Sequence, residues 1–376
     1  MYAPTNMAID QDEDQVASIH KRNKTHRKEP RELNCFRYRF SLRTLRLCGE
    51  NGFHEEYQAS IIHYRPAMSL SATHNKPYRG RFAPSPTGPL HFGSLVAAVG
   101  SYLDARHHHG EWQLRIEDID PPREVPGAAD GILRTLEAFG LEWDGPVTYQ
   151  SRRGARYETA LDQLERLGFL YGCACTRKEI PDNRVTGAGG GVYPGTCRSG
   201  LPPGRTARSL RVRVDDSRIG VQDRLQGHTR QSLPGEVGDF IVRRADGLIA
   251  YQLAVVVDDS EQRISHIVRG ADLFDSTPRQ IYLQRLLGFP EPDYLHLPVA
   301  VNGAGEKLAK QTRAREVNPK HAGRILRDVL HFLHQELPES ADDATPEELL
   351  RWAIARWEVR SLPPARILPS PAQYSD

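Results

Sequence analysis

The segment Arg81-Phe82-Ala83-Pro84-Ser85-Pro86-Thr87-Gly88-Pro89-Leu90-His91-Phe92-Gly93-Ser94 constrains the fold more than any other. A strand pattern over Tyr78–Ala83 runs into a turn full of Pro and Gly, and a helical pattern follows from about Gly93 to Arg106. The alternation resumes with a strand over Trp112–Ile119 and helices over Ala128–Phe139 and Arg156–Leu167. Such βαβ order predicts an α/β fold with a parallel sheet, and ligand at the carboxyl ends of its strands. The turn also opens a helix, whose free N–H groups and partial positive charge suit phosphate. Gly93 lets a flat base approach the backbone closely, and His91 puts a donor beside the phosphates. An ordinary βα turn explains the Pro and Gly but not a His-x-Gly at the helix start.

The chain has 376 residues, enough for two or three domains with a proper core. With 39% hydrophobic and 26% charged residues it reads as a globular enzyme, not a fibrous or disordered chain. The longest mainly apolar run, Leu248–Val257, is about half the roughly twenty residues a membrane helix needs. No secretory signal is evident, so a cytoplasmic protein with no membrane partner is expected. Net charge is only +2, so any basic surface for nucleic acid must be local.

Residues 1–77 stand apart. His20–Leu47 holds ten Lys/Arg against two Glu with weak apolar patterning, and a disordered extension is expected, with a basic RNA-binding arm as the alternative. A start at Met68 would leave a compact enzyme. Residues 78–170 read as the first half of the sheet domain. Residues 171–237, rich in Gly, Pro and Arg with a flexible loop at Gly187–Gly191, read as an insertion. The second half, 238–311, is expected to carry strands at Asp239–Arg244, Tyr251–Val257 and Arg263–Val268, then a helix over Pro278–Leu287. Residues 312–376 are expected to be short and helical, with helices at Ala322–His334 and after the capping box Thr345-Pro346-Glu347-Glu348. His107-His108-His109 reads as a solvated helix end, because consecutive residues point different ways.

Cys173, Cys175 and Cys197 lie within 25 residues in a chain of five cysteines. On spacing alone they are either three reduced thiols in a loop or part of a zinc site that lacks a fourth His or Cys.

The first segment resembles the His-Ile-Gly-His signature of class I aminoacyl-tRNA synthetases, in the glutamyl-type setting Arg-x-Ala-Pro-Ser-Pro-Thr-Gly. Ser94 stands where the second His would be, a departure familiar in the short glutamyl-queuosine branch. Lys307-Leu308-Ala309-Lys310-Gln311, preceded by Gly303 and Gly305, resembles Lys-Met-Ser-Lys-Ser with both lysines kept. The resemblance implies a Rossmann-like, parallel-sheet nucleotide-binding catalytic domain with a zinc-containing insertion and no anticodon-binding domain. It implies His91 and Lys310 as catalytic residues, and His91, Gly93, Ser94, Lys307 and Lys310 at ATP. Arg81, Ala83, Ser85, Glu117, Tyr251 and Arg269 would hold glutamate: arginine forks for carboxylates and Glu117 for the ammonium. In the same branch Cys-x-Cys is followed by Tyr-Pro-Gly-x-Cys, here Tyr193-Pro194-Gly195-Thr196-Cys197, which implies Cys173, Cys175, Tyr193 and Cys197 around one structural Zn²⁺.

The implied activity is ligation. A monomeric enzyme would activate L-glutamate with ATP and Mg²⁺ without tRNA, then transfer it to queuosine at the wobble position of tRNA(Asp). The alternatives are a truncated glutamyl-tRNA synthetase charging a tRNA 3′ end and a non-enzymatic zinc-containing RNA-binding module.

Overall fold

The computed structural model describes residues 77–180, 192–308 and 315–374. The basic segment 1–76, the Gly187–Gly191 loop and the 309–311 part of the second lysine motif lie outside the described residues. In chain order the elements are β1 Arg79–Phe82, α1 Phe92–His107, β2 Glu111–Ile116, α2 Ala128–Ala138, β3 Thr148–Tyr149, α3 Gly154–Arg166 and β4 Leu170–Cys173. Then come β5 Ser209–Val212, β6 Arg218–Asp223, β7 Gly227–Ser232, α4 Leu233–Glu236, β8 Phe240–Arg243, α5 Tyr251–Glu261 and β9 His266–Gly270. The rest are α6 Thr277–Leu287, β10 Asp293–Leu297, β11 Val299–Val301, α7 Ala322–Phe332, α8 Pro346–Arg356 and β12 Ile367–Pro369.

The expected parallel sheet is present in two runs. β1, β2 and β3 pair in parallel, and β9, β10 and β6 pair in parallel with β7 antiparallel on the outer edge. The runs meet where the Ser265 N–H donates to the Arg79 carbonyl at 2.9 Å and the Arg79 N–H donates to the Ser265 hydroxyl at 2.8 Å. Both faces are covered, as parallel sheets require. Ile267 and Tyr294 belong to the cluster under α3, α5 and α6, whereas their neighbours Val268 and Leu295 belong to the cluster under α1, α2, α7 and α8. That is the period-2 alternation of a strand buried on both sides. Helix α1 lies close on the sheet: a Cβ on Gly100 would come within 2.4 Å of Leu297. The capping box at α8 forms as the sequence predicts, with the Thr345 and Glu348 side chains bonding each other's backbone N–H.

Two expectations need correction. Tyr251–Val257 is the start of helix α5, not a strand. Leu253 to Val257 are all buried, and a run buried on every side carries no periodicity to separate helix from strand. Valine's strand preference yields here to packing against α6 and α3. Second, the interval 171–237 is not one insertion. β4 and β5 form a small antiparallel sheet with β8 from the expected second half, while β6 joins the parallel sheet beside β10. The open edge of β10 accepts a strand from within the interval, so the two sheets interleave along the chain. The histidine triplet ends α1 with His108 and His109 exposed, as expected, and His107 half-buried. His107 Nδ1 bonds the Ile354 carbonyl at 2.7 Å, and His108 stacks on Tyr78 with its Nδ1 at 2.7 Å from the Asp104 carbonyl. The rings do take different partners, as consecutive residues must.

Candidate active site

The carboxyl ends of the parallel strands open into a cavity of about 630 Å³, within the range of small-molecule sites. Arg81, Ala83, Ser85, His91, Gly93, Ser94, Glu117, Tyr251, Arg269 and Lys307 all line it. These are every expected substrate and nucleotide residue except Lys310, which lies outside the described residues. Segments more than two hundred positions apart thus meet at one place.

The N-terminus of α1 forms one wall. His91 is its cap residue, in extended conformation, and its Nδ1 accepts the Ser94 N–H at 3.2 Å. The Ser94 hydroxyl lies 3.0 Å from Nε2, so a neutral ring with its proton on Nε2 satisfies both contacts. Serine at position 94 therefore orients His91. A Cβ on Gly93 would sit 3.3 Å from the His91 ring, tighter than ordinary contact, so a side chain there would push the ring by a few tenths of an ångström. The first turn holds no acidic side chain to compete for its N–H groups.

The floor is a buried ion network. Arg81 Nε contacts Asp259 Oδ1 at 3.2 Å, and Arg115 Nη1 contacts the same oxygen at 2.8 Å. Arg115 Nη2 reaches Glu117 Oε1 at 3.3 Å. Beside them Asp258 takes Arg153 at 2.5 Å, Gln150 at 2.7 Å and the Tyr157 hydroxyl at 3.0 Å. Asp258 and Asp259 sit in the last turn of α5, where the helix dipole disfavours carboxylates. The guanidiniums offset that cost. Burial works to raise Asp259, but Arg115 and Arg81 outweigh it and hold it below the usual carboxylate range. For Glu117 burial wins over Arg115 and Arg81 and pushes the carboxyl up. Burial, with the Glu117 charge beside it, raises Tyr251, so it remains a phenol able to donate.

Arg269 differs from the other two arginines. It is 4% exposed, and among the described residues no carboxylate lies within ion-pair distance of it. Its partners are neutral: Nε donates to His296 Nε2 at 3.0 Å and Nη2 to the Thr277 hydroxyl at 2.8 Å. Its Nη1 is buried without a hydrogen-bond partner. Arg81 and Arg115 have Asp259 and Glu117, Asp258 takes Arg153, and Asp223 reaches Arg269 only through His296, so Arg269 alone of the three pocket arginines has no carboxylate in direct contact. A buried unpaired charge is costly, so such a site is built for an anion.

Lys307 closes the mouth, its Nζ 2.5 Å from Asp272 Oδ2 on the turn after β9. Lys307 and Leu308 both line the cavity.

The cysteine cluster is a separate centre in the antiparallel sheet. The Sγ atoms of Cys173, Cys175 and Cys197 all lie within 4.8 Å of one another. Tyr193 Oη stands 3.4 Å from Cys173 Sγ and 3.6 Å from Cys175 Sγ, and Cys175 and Cys197 are 3.7 Å apart. A tetrahedral ion with bonds of about 2.3 Å has ligand–ligand edges of about 3.7 Å, so the donor set fits one small metal ion. Burial opposes ionisation of Cys173, but hydrogen bonds with Tyr193 and Arg211 outweigh it and bring the thiol down to about 7. Burial and the neighbouring thiols push the Tyr193 phenol up, and a bound dication would reverse that. Arg211 lies over the Tyr193 ring at 3.7 Å and fixes its plane.

A parallel α/β sheet, a nucleotide-type helix start and a buried acid pocket define the class. Residues 78–325 match the family described as tRNA synthetases class I (E and Q), catalytic domain, and the chain belongs to that family. It is a ligase of the class I synthetase type. Among curated proteins it is 60% identical over 300 residues to the glutamyl-Q tRNA(Asp) synthetase of Dechloromonas aromatica, covering 79% of this chain and 100% of that one. It is 57% identical over 289 residues to the protein of the same name from Chromobacterium violaceum, covering 77% of this chain and 96% of that one. Among solved structures, the glutamate-tRNA synthetase of Elizabethkingia anophelis shares the fold at a TM-score of 0.66 and 24% identity, over 80% of this chain and 69% of that one.

Sequence reading missed the residues that hold the site together. Asp258, Asp259 and Asp223 are far from either signature, His296 lies eleven residues before Lys307 in an apolar strand, and only Arg115 lies inside a segment the motifs single out, two residues before Glu117. The signal available was two adjacent acids ending an apolar run, which a strand assignment for Tyr251–Val257 concealed.

Proposed function

We infer that the cavity activates L-glutamate with ATP and that the enzyme passes the glutamyl group to queuosine in tRNA(Asp). The observation that carries this is Arg269, a buried cation of the cavity lining whose Nη1 has no hydrogen-bond partner and which has no carboxylate in ion-pair contact among the described residues. A glutamate carboxylate would supply that partner. Arg269 and Arg81 receive carboxylates, Arg81 with its charge shared with Asp259. Glu117 faces the ammonium, and Ser85 and Tyr251 supply hydroxyls.

In the first step a glutamate carboxylate oxygen attacks the α-phosphorus of ATP, the bond to the bridging oxygen breaks, and pyrophosphate leaves; Mg²⁺ would accompany the nucleotide and offset its phosphate charge. The α1 N-terminus with His91, Gly93 and Ser94 takes the phosphates, and Lys307 and Lys310 meet the charge that develops on the leaving group. The protein's work is positioning and electrostatics. In the second step a hydroxyl of the queuosine cyclopentenediol attacks the carbonyl of the mixed anhydride, and AMP leaves. Cys173, Cys175, Tyr193 and Cys197 would hold a structural Zn²⁺, pinning the segment that carries them. The reading places the enzyme in the cytoplasm, where charged tRNA is made and used.

Purified enzyme, glutamate, Mg²⁺ and labelled pyrophosphate should exchange label into ATP without tRNA. With ATP and labelled glutamate in place of labelled pyrophosphate, the same preparation should label queuosine-containing tRNA(Asp), with the label stable to removal of the 3′ terminal nucleotide. Label lost with the 3′ end, or found on tRNA lacking queuosine, would contradict the transfer step.

A further inference from the structure

We propose that Asp223 and His296 are positioning residues that keep Arg269 aimed at the substrate carboxylate while leaving its charge uncompensated. The inference rests on reading the cavity as a glutamate site. Arg269 sits on β9, His296 on the adjacent β10 and Asp223 at the end of β6, so the three form a line across the sheet. His296 is fully buried. Its Nε2 accepts from Arg269 Nε at 3.0 Å, and its Nδ1 lies 2.6 Å from Asp223 Oδ2. Only the neutral ring with its proton on Nδ1 serves both contacts: Nδ1–H donates to the carboxylate and the Nε2 lone pair takes the guanidinium.

Asp223 is itself fixed. Besides the imidazole, it accepts the N–H groups of Leu225 at 2.9 Å, Gln226 at 2.8 Å and His296 at 3.1 Å. Its negative charge is spent on these donors, one ring away from Arg269. The usual partner of a buried arginine is a carboxylate, as Asp259 is for Arg81. A carboxylate at position 296 would neutralise Arg269 and compete with the substrate. An imidazole orients the fork without doing so. Thr277 holds Nη2 in the same way, with a hydroxyl. What remains is Nη1, the atom without a partner.

Replacing His296 by Leu removes the acceptor, whereas His296→Gln places an amide oxygen near the old Nε2. Asp223→Asn presents an amide N–H₂ to Nδ1, drives the ring proton to Nε2 and turns it against Arg269. Glutamate-dependent pyrophosphate exchange separates the effects. We expect the KM for glutamate to rise at least about tenfold in His296→Leu and Asp223→Asn, with the KM for ATP within about twofold. His296→Gln should recover most of the loss. Unchanged glutamate KM in both disruptive variants, or equal rises in the two KM values, would overturn the proposal. So would a nitrogen NMR spectrum of the wild-type enzyme placing the His296 proton on Nε2, a measurement that needs no variant to fold. A wild-type enzyme that exchanges no pyrophosphate with glutamate fails the glutamate reading itself, and the proposal with it.

Discussion

The acid pocket and the thiol cluster are both small polar centres set into apolar surroundings, and they are built in opposite ways. The pocket gathers Arg81, Glu117, Tyr251, Asp259 and Arg269 from strands and helices spread across the chain. Its geometry exists because the sheet exists, and its Arg269 has no carboxylate in direct contact among the described residues. The cluster draws all four donors from residues 173–197, next to a small antiparallel sheet. Its geometry is local, and an ion would complete it. Long-range construction yields a preorganised site whose parts fail together; local construction yields one that can fail without disturbing the other. Breaking each centre separately tests that contrast.

The largest effect is expected at Arg269. Arg269→Ala should lower kcat/KM for glutamate activation by about 10²- to 10³-fold, as loss of a buried charge contact does. Arg269→Lys should recover little, because an ammonium lacks the fork that His296 and Thr277 hold. Steady-state exchange kinetics check both. Gly93→Ala comes next. The added methyl forces the His91 ring to move, and the KM for ATP should rise about tenfold with glutamate KM unchanged.

The pocket should also make the fold sensitive to acid. Burial holds His296 down at about 4 against the pull of Asp223, with Arg269 adding to the lowering. Arg269, Thr277, Asp223, Phe274 and Tyr294 surround the ring, and Asp272 acts on it from the turn after β9. In the unfolded chain the ring protonates near its ordinary value of about 6.5. A histidine kept neutral in the fold contributes stability in full above about 6.5, and loses it as pH falls toward about 4. Between pH 6.5 and 5 the loss is about 2 kcal/mol. Thermal melts over that range should show the midpoint falling further for the wild type than for His296→Gln.

The smallest effect on catalysis is expected at the cluster. Cys197→Ser should abolish stoichiometric metal in the purified protein and lower the thermal midpoint by several degrees, yet leave glutamate-dependent exchange within about threefold. Metal content by mass spectrometry and exchange rate read the two halves of that statement. A collapse of exchange comparable with that of Arg269→Ala would mean the centres are not separable.

Legibility followed the same contrast. Motifs that carry their chemistry locally were readable: the strand–turn–helix with His91, the Cys-x-Cys pair, the capping box before α8. The parallel sheet followed from the βαβ order. What the sequence hid were partners joined only by the sheet. Nothing near Asp223 or His296 in the chain marks them, since one ends a hairpin strand in a stretch read as insertion and the other lies in an ordinary apolar strand. Asp259 was hidden because Leu253–Val257 has no periodicity, so the helix that aims its carboxylate at Arg81 could not be told from a strand. The crossing of β6 into the parallel sheet depends on an open edge at β10, a tertiary fact that no local pattern announces.

On the proposed reading Arg269, a buried guanidinium without a carboxylate in direct contact, receives an acidic amino acid. Pyrophosphate exchange without tRNA, run in parallel with glutamate and with glutamine, tests it most directly, because the two differ by a carboxylate against an amide of the same shape. Exchange with glutamate at a kcat/KM at least about a hundredfold above that with glutamine is the predicted result. Equal exchange with both amino acids would contradict it.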